Sequence, residues 1–217
     1  MELVVKPTWT YLLYQVFFKE VMLELVIKEE LRLPLINKFL KAFELRLNDI
    51  KFNMQTMSDN YIQFSKFYEQ ALFNVSFGLE EASATLKAPQ NEVQVADLYG
   101  KLFQIFQDIP IAIQKMTIQR QLSTEGDATS FLKSLNPHCP SNFEKLLQGG
   151  GVFYTLKIPE NEMTIYITLV ESIFIPGGLY LSIENIFSPN IYDFQNAFEI
   201  SKERHDFILK ELNLNIE

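Results

Sequence analysis

The stretch 152-VFYTLKIPENEMTIYITLVESIFIPGGLYLSIENIF-187 decides how the rest of the chain reads. Blocks rich in β-branched and aromatic residues are punctuated by Pro159-Glu160-Asn161 and by Pro176-Gly177-Gly178. This predicts three strands, Val152 to Ile158, Met163 to Phe174 and Leu179 to Phe187. Connections that short make antiparallel neighbours. A long helix is expected next, from about Tyr192 to Leu212, where the apolar period changes to that of a helix.

Working back towards the N-terminus, Gly149-Gly150-Gly151 reads as a helix stop. Ser141-Asn142-Phe143-Glu144 is a capping box for the short helix it ends, and Phe131, Leu132 and Leu135 belong to another helical turn. Before these, Ile111, Ile113, Met116, Ile118 and Leu122 give a strand whose apolar positions change parity near Gln114-Lys115, the mark of a bulge. From Ile109 to the C-terminal helix the order is therefore strand, helix, three strands, helix.

The first half repeats that order. A strand is expected over Val16 to Lys28, where Val21, Leu23, Leu25 and Ile27 alternate with Met22, Glu24, Val26 and Lys28. A helix follows, with Pro34 in its first turn, where a missing N–H is harmless. Strands are expected over Leu45 to Thr56, Tyr61 to Tyr68 and Ala71 to Leu86, the first two joined by a turn at Met57-Ser58-Asp59-Asn60. The half closes with a helix capped by Asn91, its buried stripe formed by Val95, Leu98, Leu102, Ile105 and Ile109.

The fold class that results is α+β. Two β-α-β-β-β-α units, 1–108 and 109–217, form a curved antiparallel sheet with helices on one face, fused into a single globular domain. In element order, over nearly the whole chain, this resembles the TATA-binding-protein-type and helix-grip architectures, in which a long helix lies across a bent sheet. The resemblance rests on no shared motif and carries no functional residue over.

Composition narrows the function. The chain holds 19 Phe and 9 Tyr against one Trp, enough large rings to fill a core beneath a broad sheet. The net charge is −8, shared as −3 over 1–108 and −5 over 109–217, with no Lys/Arg cluster. A general nucleic-acid surface needs basic residues to displace phosphate counterions, so nucleic acid is not an expected partner. Cys139 is the only cysteine, which excludes an internal disulfide and fits a reducing, cytoplasmic setting. Lys19, Glu20 and Glu24 interrupt the apolar run from Trp9 to Ile27, so no membrane span is expected there, and no signal-peptide cleavage site follows.

The last helix carries the best candidate site. At 100° per residue, Phe194, Phe198, Ser201, His205, Ile208 and Leu212 share one stripe, and Glu199, Lys202, Glu203, Asp206 and Lys210 lie opposite. Ser201 and His205 thus fall on the sheet-facing side, where an unpaired polar group costs about 1–3 kcal/mol. Two readings are open: both are satisfied inside the core, or with Phe198 they line a helix–sheet groove that binds a ligand. The N-terminal aromatics Trp9, Tyr11, Leu12, Leu13, Tyr14, Phe17 and Phe18 read as an edge element that completes the first core, or as a patch for dimerisation or for a partner chain.

Other candidates carry less chemistry. His138-Cys139 lies between Pro137 and Pro140, where neighbouring side chains point to opposite faces and make a poor dyad. Two His and one Cys, far apart in sequence, give no metal-ligand spacing, and no cofactor is expected. Glu29-Glu30, Glu80-Glu81 and Glu160 with Glu162 read as solvated charge near strand ends. The function expected is non-enzymatic binding of an apolar small molecule or a protein partner, with a homodimer among the partners. The alternative is an enzyme with an unrecognised site near His205.

Overall fold

The computed structural model describes residues 2–24, 28–52, 62–89, 91–106, 108–135, 150–158, 163–187 and 194–216. Their order is β1 (Leu3–Phe18), α1 (Glu29–Ala42), β2 (Ile50–Phe52), β3 (Ile62–Tyr68), β4 (Ala71–Phe77), β5 (Glu81–Lys87) and α2 (Glu92–Phe106). Then come β6 (Ile111–Glu125), α3 (Ala128–Leu135), β7 (Gly151–Ile158), β8 (Met163–Glu171), β9 (Leu179–Phe187), α4 (Phe194–Glu211) and β10 (Leu214–Ile216). The chain is α+β, with an antiparallel open sheet in the order β2-β3-β4-β5-β1-β6-β9-β8-β7. β10 adds a short parallel pairing to the start of β1, Leu3 opposite Leu214 and Val5 opposite Ile216.

Contacts divide the chain into two compact units. The aromatic unit comprises Leu12–Met116 and Ile186–Phe198. In it Leu12, Tyr14, Val16 and Phe18 alternate inward from β1, and Ala71, Phe73, Val75 and Phe77 from β4. The rings of Phe39, Phe43, Phe64, Phe73, Phe77 and Phe106 stack and tilt against one another at centroid distances of 5.2–6.4 Å. Polar atoms that enter this core are bonded. The Tyr99 hydroxyl donates to the Leu12 and Ala84 carbonyls at 2.9 and 3.3 Å, and that of Tyr14 donates to Gln114 Oε1 at 3.1 Å.

The aliphatic unit comprises Met1–Tyr11, Thr117–Asn185 and Glu199–Glu217. Its core is Ile165, Ile167 and Leu169 from β8, Leu179, Leu181 and Ile183 from β9, and Ile208, Leu209 and Leu212 from α4, with Phe131 from α3. Asp127 caps α3 by accepting from the backbone N–H of Ser130 at 3.1 Å, as an N-cap carboxylate does. The hairpin β7–β8 has the register expected of a tight antiparallel pair, Gly151 opposite Val170 through Ile158 opposite Met163.

Several expectations are corrected. The first strand is Leu3–Phe18, not Val16 to Lys28. The charged pair Lys19-Glu20 turns the chain, and Val21 and Leu23 of the later alternation are exposed, while Leu25 to Ile27 lie outside the described residues. The segment Ala71 to Leu86 is two strands, because Gly78 to Glu80 form a turn closed by Gly78 N–H to Glu81 C=O at 2.8 Å. Of Leu45 to Thr56, only Ile50–Phe52 is strand among the described residues. Pro34 lies inside α1 rather than in its first turn, since the helix starts at Glu29. The N-terminal aromatic strand is no edge: in the sheet β1 stands between β5 and β6. Asn91 does cap α2, its Oδ1 accepting from Gln94 N–H at 2.8 Å. The Met57–Asn60 turn, the Ser141 capping box, His138-Cys139 and the Pro159–Asn161 turn with Glu160 and Glu162 lie outside the described residues.

Candidate functional site

The helix α4 holds the predicted stripe. Ser201 is fully buried and His205 is 2% exposed, with Ile208 and Leu212 continuing the same face. Lys202, Glu203, Asp206 and Lys210 face solvent, as the helical wheel requires. Phe198 is also buried, but it closes the part of α4 that belongs to the aromatic unit, whereas Ser201 and His205 belong to the aliphatic one.

Sequence reasoning missed the residue that gives this site its charge. Arg120 sits on β6, and it and His205 feel each other electrostatically. Burial pulls its guanidinium below the ordinary arginine pKa, with Asp206 opposing. The available signal was an arginine between Ile118 and Leu122, in a strand whose only other interior charge is Lys115. Burial first and the charge of Arg120 second push His205 down to about 4, against the raising effect of Asp206. His205 is therefore neutral near pH 7.

Hydrogen bonding sets its tautomer. His205 Nδ1 lies 3.3 Å from Asp206 Oδ1, and a carboxylate only accepts, so the proton is on Nδ1 and Nε2 presents a lone pair. That Nε2, Ser201 Oγ and the Arg120 Nε–H are buried without a hydrogen-bond partner among the described residues. Ser201 and His205 are one helical turn apart on the same face. The trio thus offers one charged donor, one acceptor and one hydroxyl that serves as either.

Elsewhere in the aliphatic unit, the β8–β9 connection is rigidly built. Ser172 Oγ donates to the buried Gln121 Oε1 at 2.6 Å and accepts from the Phe174 and Ile175 N–H groups at 3.1 and 2.9 Å. Gly177 has φ +68, and a Cβ on Gly178 would stand 2.6 Å from the Leu122 carbonyl oxygen, so both glycines are required. This frame holds Ile173 89% exposed and Phe174 73% exposed.

Two open grooves lie in the aromatic unit. One of about 700 Å³ is lined by Lys38, Lys41, Ala42, Glu44, Lys101, Gln104 and Ile105. There Lys38 pairs with Asp108 at 3.3 Å and Lys101 with Asp97 at 2.7 Å. The other, of about 400 Å³, includes Tyr68, whose hydroxyl burial pushes up to about 12 with help from Glu44 and Asp97. Neither groove is lined by Phe198, Ser201 or His205, the site candidates read from the sequence.

Among the described residues no group of three or more His, Cys, Asp and Glu comes together, and no helix is long and apolar enough to cross a membrane. Glu29 and Glu30 occupy the first turn of α1, where carboxylates favour the helix dipole. In sequence comparisons no protein-family model matches the chain, and no curated protein matches it.

Proposed function

We propose that this is a binding protein whose small ligand sits in the aliphatic unit against α4 and β6, bonded by Arg120, Ser201 and His205. The observation that carries the reading is the trio of buried, unpartnered polar atoms. Each orphan costs about 1–3 kcal/mol, and a domain holds only about 5–15 kcal/mol in total. A bound molecule that satisfies all three offsets that cost. The side chains Ile118, Leu122, Ile208 and Leu212 on the same elements suit an otherwise apolar ligand with one polar end, able to accept from Arg120 and donate to His205 Nε2. With a net charge of −8, nucleic acid is not its partner, and the unpaired Cys139 fits a cytoplasmic protein.

We also infer that the chain uses one β-α-β-β-β-α unit twice, in the manner of the TATA-binding-protein or helix-grip architectures. Strand order supports this: β5, β4 and β3 follow outward from β1, and β9, β8 and β7 follow outward from β6.

The enzyme alternative has one observation in its favour, the Ser201, His205 and Asp206 series on a single helix. Against it, His205 is closed off from solvent, and a pKa of about 4 makes it a weak base at neutral pH. Native mass spectrometry of the purified chain tests the binding reading. A bound small molecule is expected on the wild type and not on Arg120→Met. The bare 25.3 kDa chain in both would count against it.

A further inference from the structure

The two ends of the sheet are unlike. Among the described residues, the order finishes at one side with β2, three residues long, and at the other with β7, eight residues long. Short edge strands are a common protection against unwanted pairing, and β7 lacks it. Its residues Phe153 and Tyr154 are 73% and 38% exposed, and its only charge is Lys157. The inward positions tell the same story. On β8, Met163, Ile165, Ile167 and Leu169 are at most 4% exposed, but on β7 the inward Tyr154, Leu156 and Ile158 are only partly covered.

Backbone polarity defines what the edge can accept. The Glu171 N–H donates to the Gly150 carbonyl, which continues the β7–β8 register of Gly151 with Val170. In an antiparallel pair the bonded residues alternate, so Val152, Tyr154, Leu156 and Ile158 bond to β8. Gly151, Phe153, Thr155 and Lys157 then turn their N–H and C=O groups outward.

We infer that β7 is a homodimer interface, in which it pairs antiparallel with β7 of a second copy across a two-fold axis at Thr155. Continuing the sheet requires facing residues to share a side, so the register moves in steps of two in sequence sum. Centring on Thr155 sets Val152 against Ile158 and Tyr154 against Leu156 on the inward side, apolar against apolar. Outward, Thr155 meets its twin, and Lys157 lies over the Phe153 ring of the other copy, a cation–π contact instead of like-charge repulsion. Centring on Tyr154 would leave Lys157 facing Gly151, with no ring to cover. The only charge on the strand thus finds its complement on the strand itself, which selects a second copy as the occupant.

Sedimentation velocity over a concentration series, with β7 disulfide trapping, tests this. Mass should rise with concentration from 25.3 kDa to twice that value. In a Cys139→Ser background, Thr155→Cys should oxidise to a covalent dimer, because Cα atoms of facing residues stand about 5.5 Å apart, while Phe153→Cys should not. Proline is tolerated on an edge where its N–H would face outward, so Thr155→Pro should keep the wild-type circular dichroism yet raise the dimer midpoint by at least about tenfold. A monomer at every concentration, a dimer indifferent to Thr155→Pro, or trapping at 153 in place of 155 would each overturn the inference. None of these outcomes depends on the ligand at Arg120 and His205.

Discussion

Among the described residues, the aromatic unit buries most of its rings, Phe67 excepted, and the aliphatic unit displays most of its own, Phe131 excepted. In the first, Phe39, Phe43, Phe73, Phe77, Phe106 and Tyr99 are at most 1% exposed, and the tyrosine hydroxyls that enter the core are bonded. In the second, Phe153, Tyr154, Tyr166, Phe174 and Phe207 lie 38–73% exposed around an aliphatic core that also holds the unpartnered Ser201 and His205. Rings interlocked at fixed angles make a stiff, closed interior. An aliphatic core that holds orphan polar atoms, under a surface of exposed rings, trades stability for surfaces that can meet something else. Under the proposed binding function, recognition belongs to the aliphatic unit and structural support to the aromatic one.

The largest expected effect breaks the aromatic side. Phe39→Ala removes the ring that touches Phe43, Phe64, Phe77 and Phe106, and should cost about 3–5 kcal/mol in urea unfolding. A loss below 1 kcal/mol would mean that the ring cluster does not hold that unit together.

The next concerns acid and belongs to the aliphatic side. The folded-state pKa of His205 lies near 4, below the unfolded value of about 6.5. As pH falls from 6.5 the unfolded chain takes up a proton that the folded chain refuses, so stability is full above 6.5 and is lost towards 4. The loss approaches about 1.4 kcal/mol per pH unit from this one group, up to roughly 3 kcal/mol. Comparing wild type with His205→Leu by urea titration at pH 7 and pH 5 isolates it. Equal pH slopes in the two proteins would refute the assignment.

The smallest effect sharpens the contrast atom by atom. Tyr99→Phe deletes a hydroxyl with two carbonyl partners and should cost about 1 kcal/mol. Ser201→Ala deletes a hydroxyl with no partner, and in the ligand-free protein it should leave stability unchanged or raise it. The melting curve of Tyr99→Phe should move to lower temperature, and that of Ser201→Ala should not.

How much of this was legible beforehand varies along the chain. β7, β8 and β9 were readable because Pro176-Gly177-Gly178 and the block of β-branched residues leave few alternatives, and the buried stripe of α4 followed from helical spacing alone. The start of β1 was missed because its apolar alternation, Leu3 and Val5 and then Leu12 to Phe18, changes parity across Lys6 to Tyr11, which no two-residue period detects. Val21 and Leu23 open an alternation of period two, yet both stay exposed in the structure. For the site, Ser201 and His205 were found because polar residues on an apolar stripe stand out. Arg120 was not, since the α4 groups that act on it electrostatically, His205 and Asp206, are brought near it only by the fold.

The pairing of Leu3 with Leu214 sets a timetable for synthesis. These residues are roughly 200 positions apart, and at about 5–20 residues per second a ribosome needs about 10–40 s to join them. Until residue 216 has been made, the first residues of β1 lack that neighbour, with Trp9 and Tyr11 a few positions along the same strand. Between the synthesis of Leu3 and that of Leu214 the first strand is therefore unfinished, and that is the interval in which a holding chaperone would matter most.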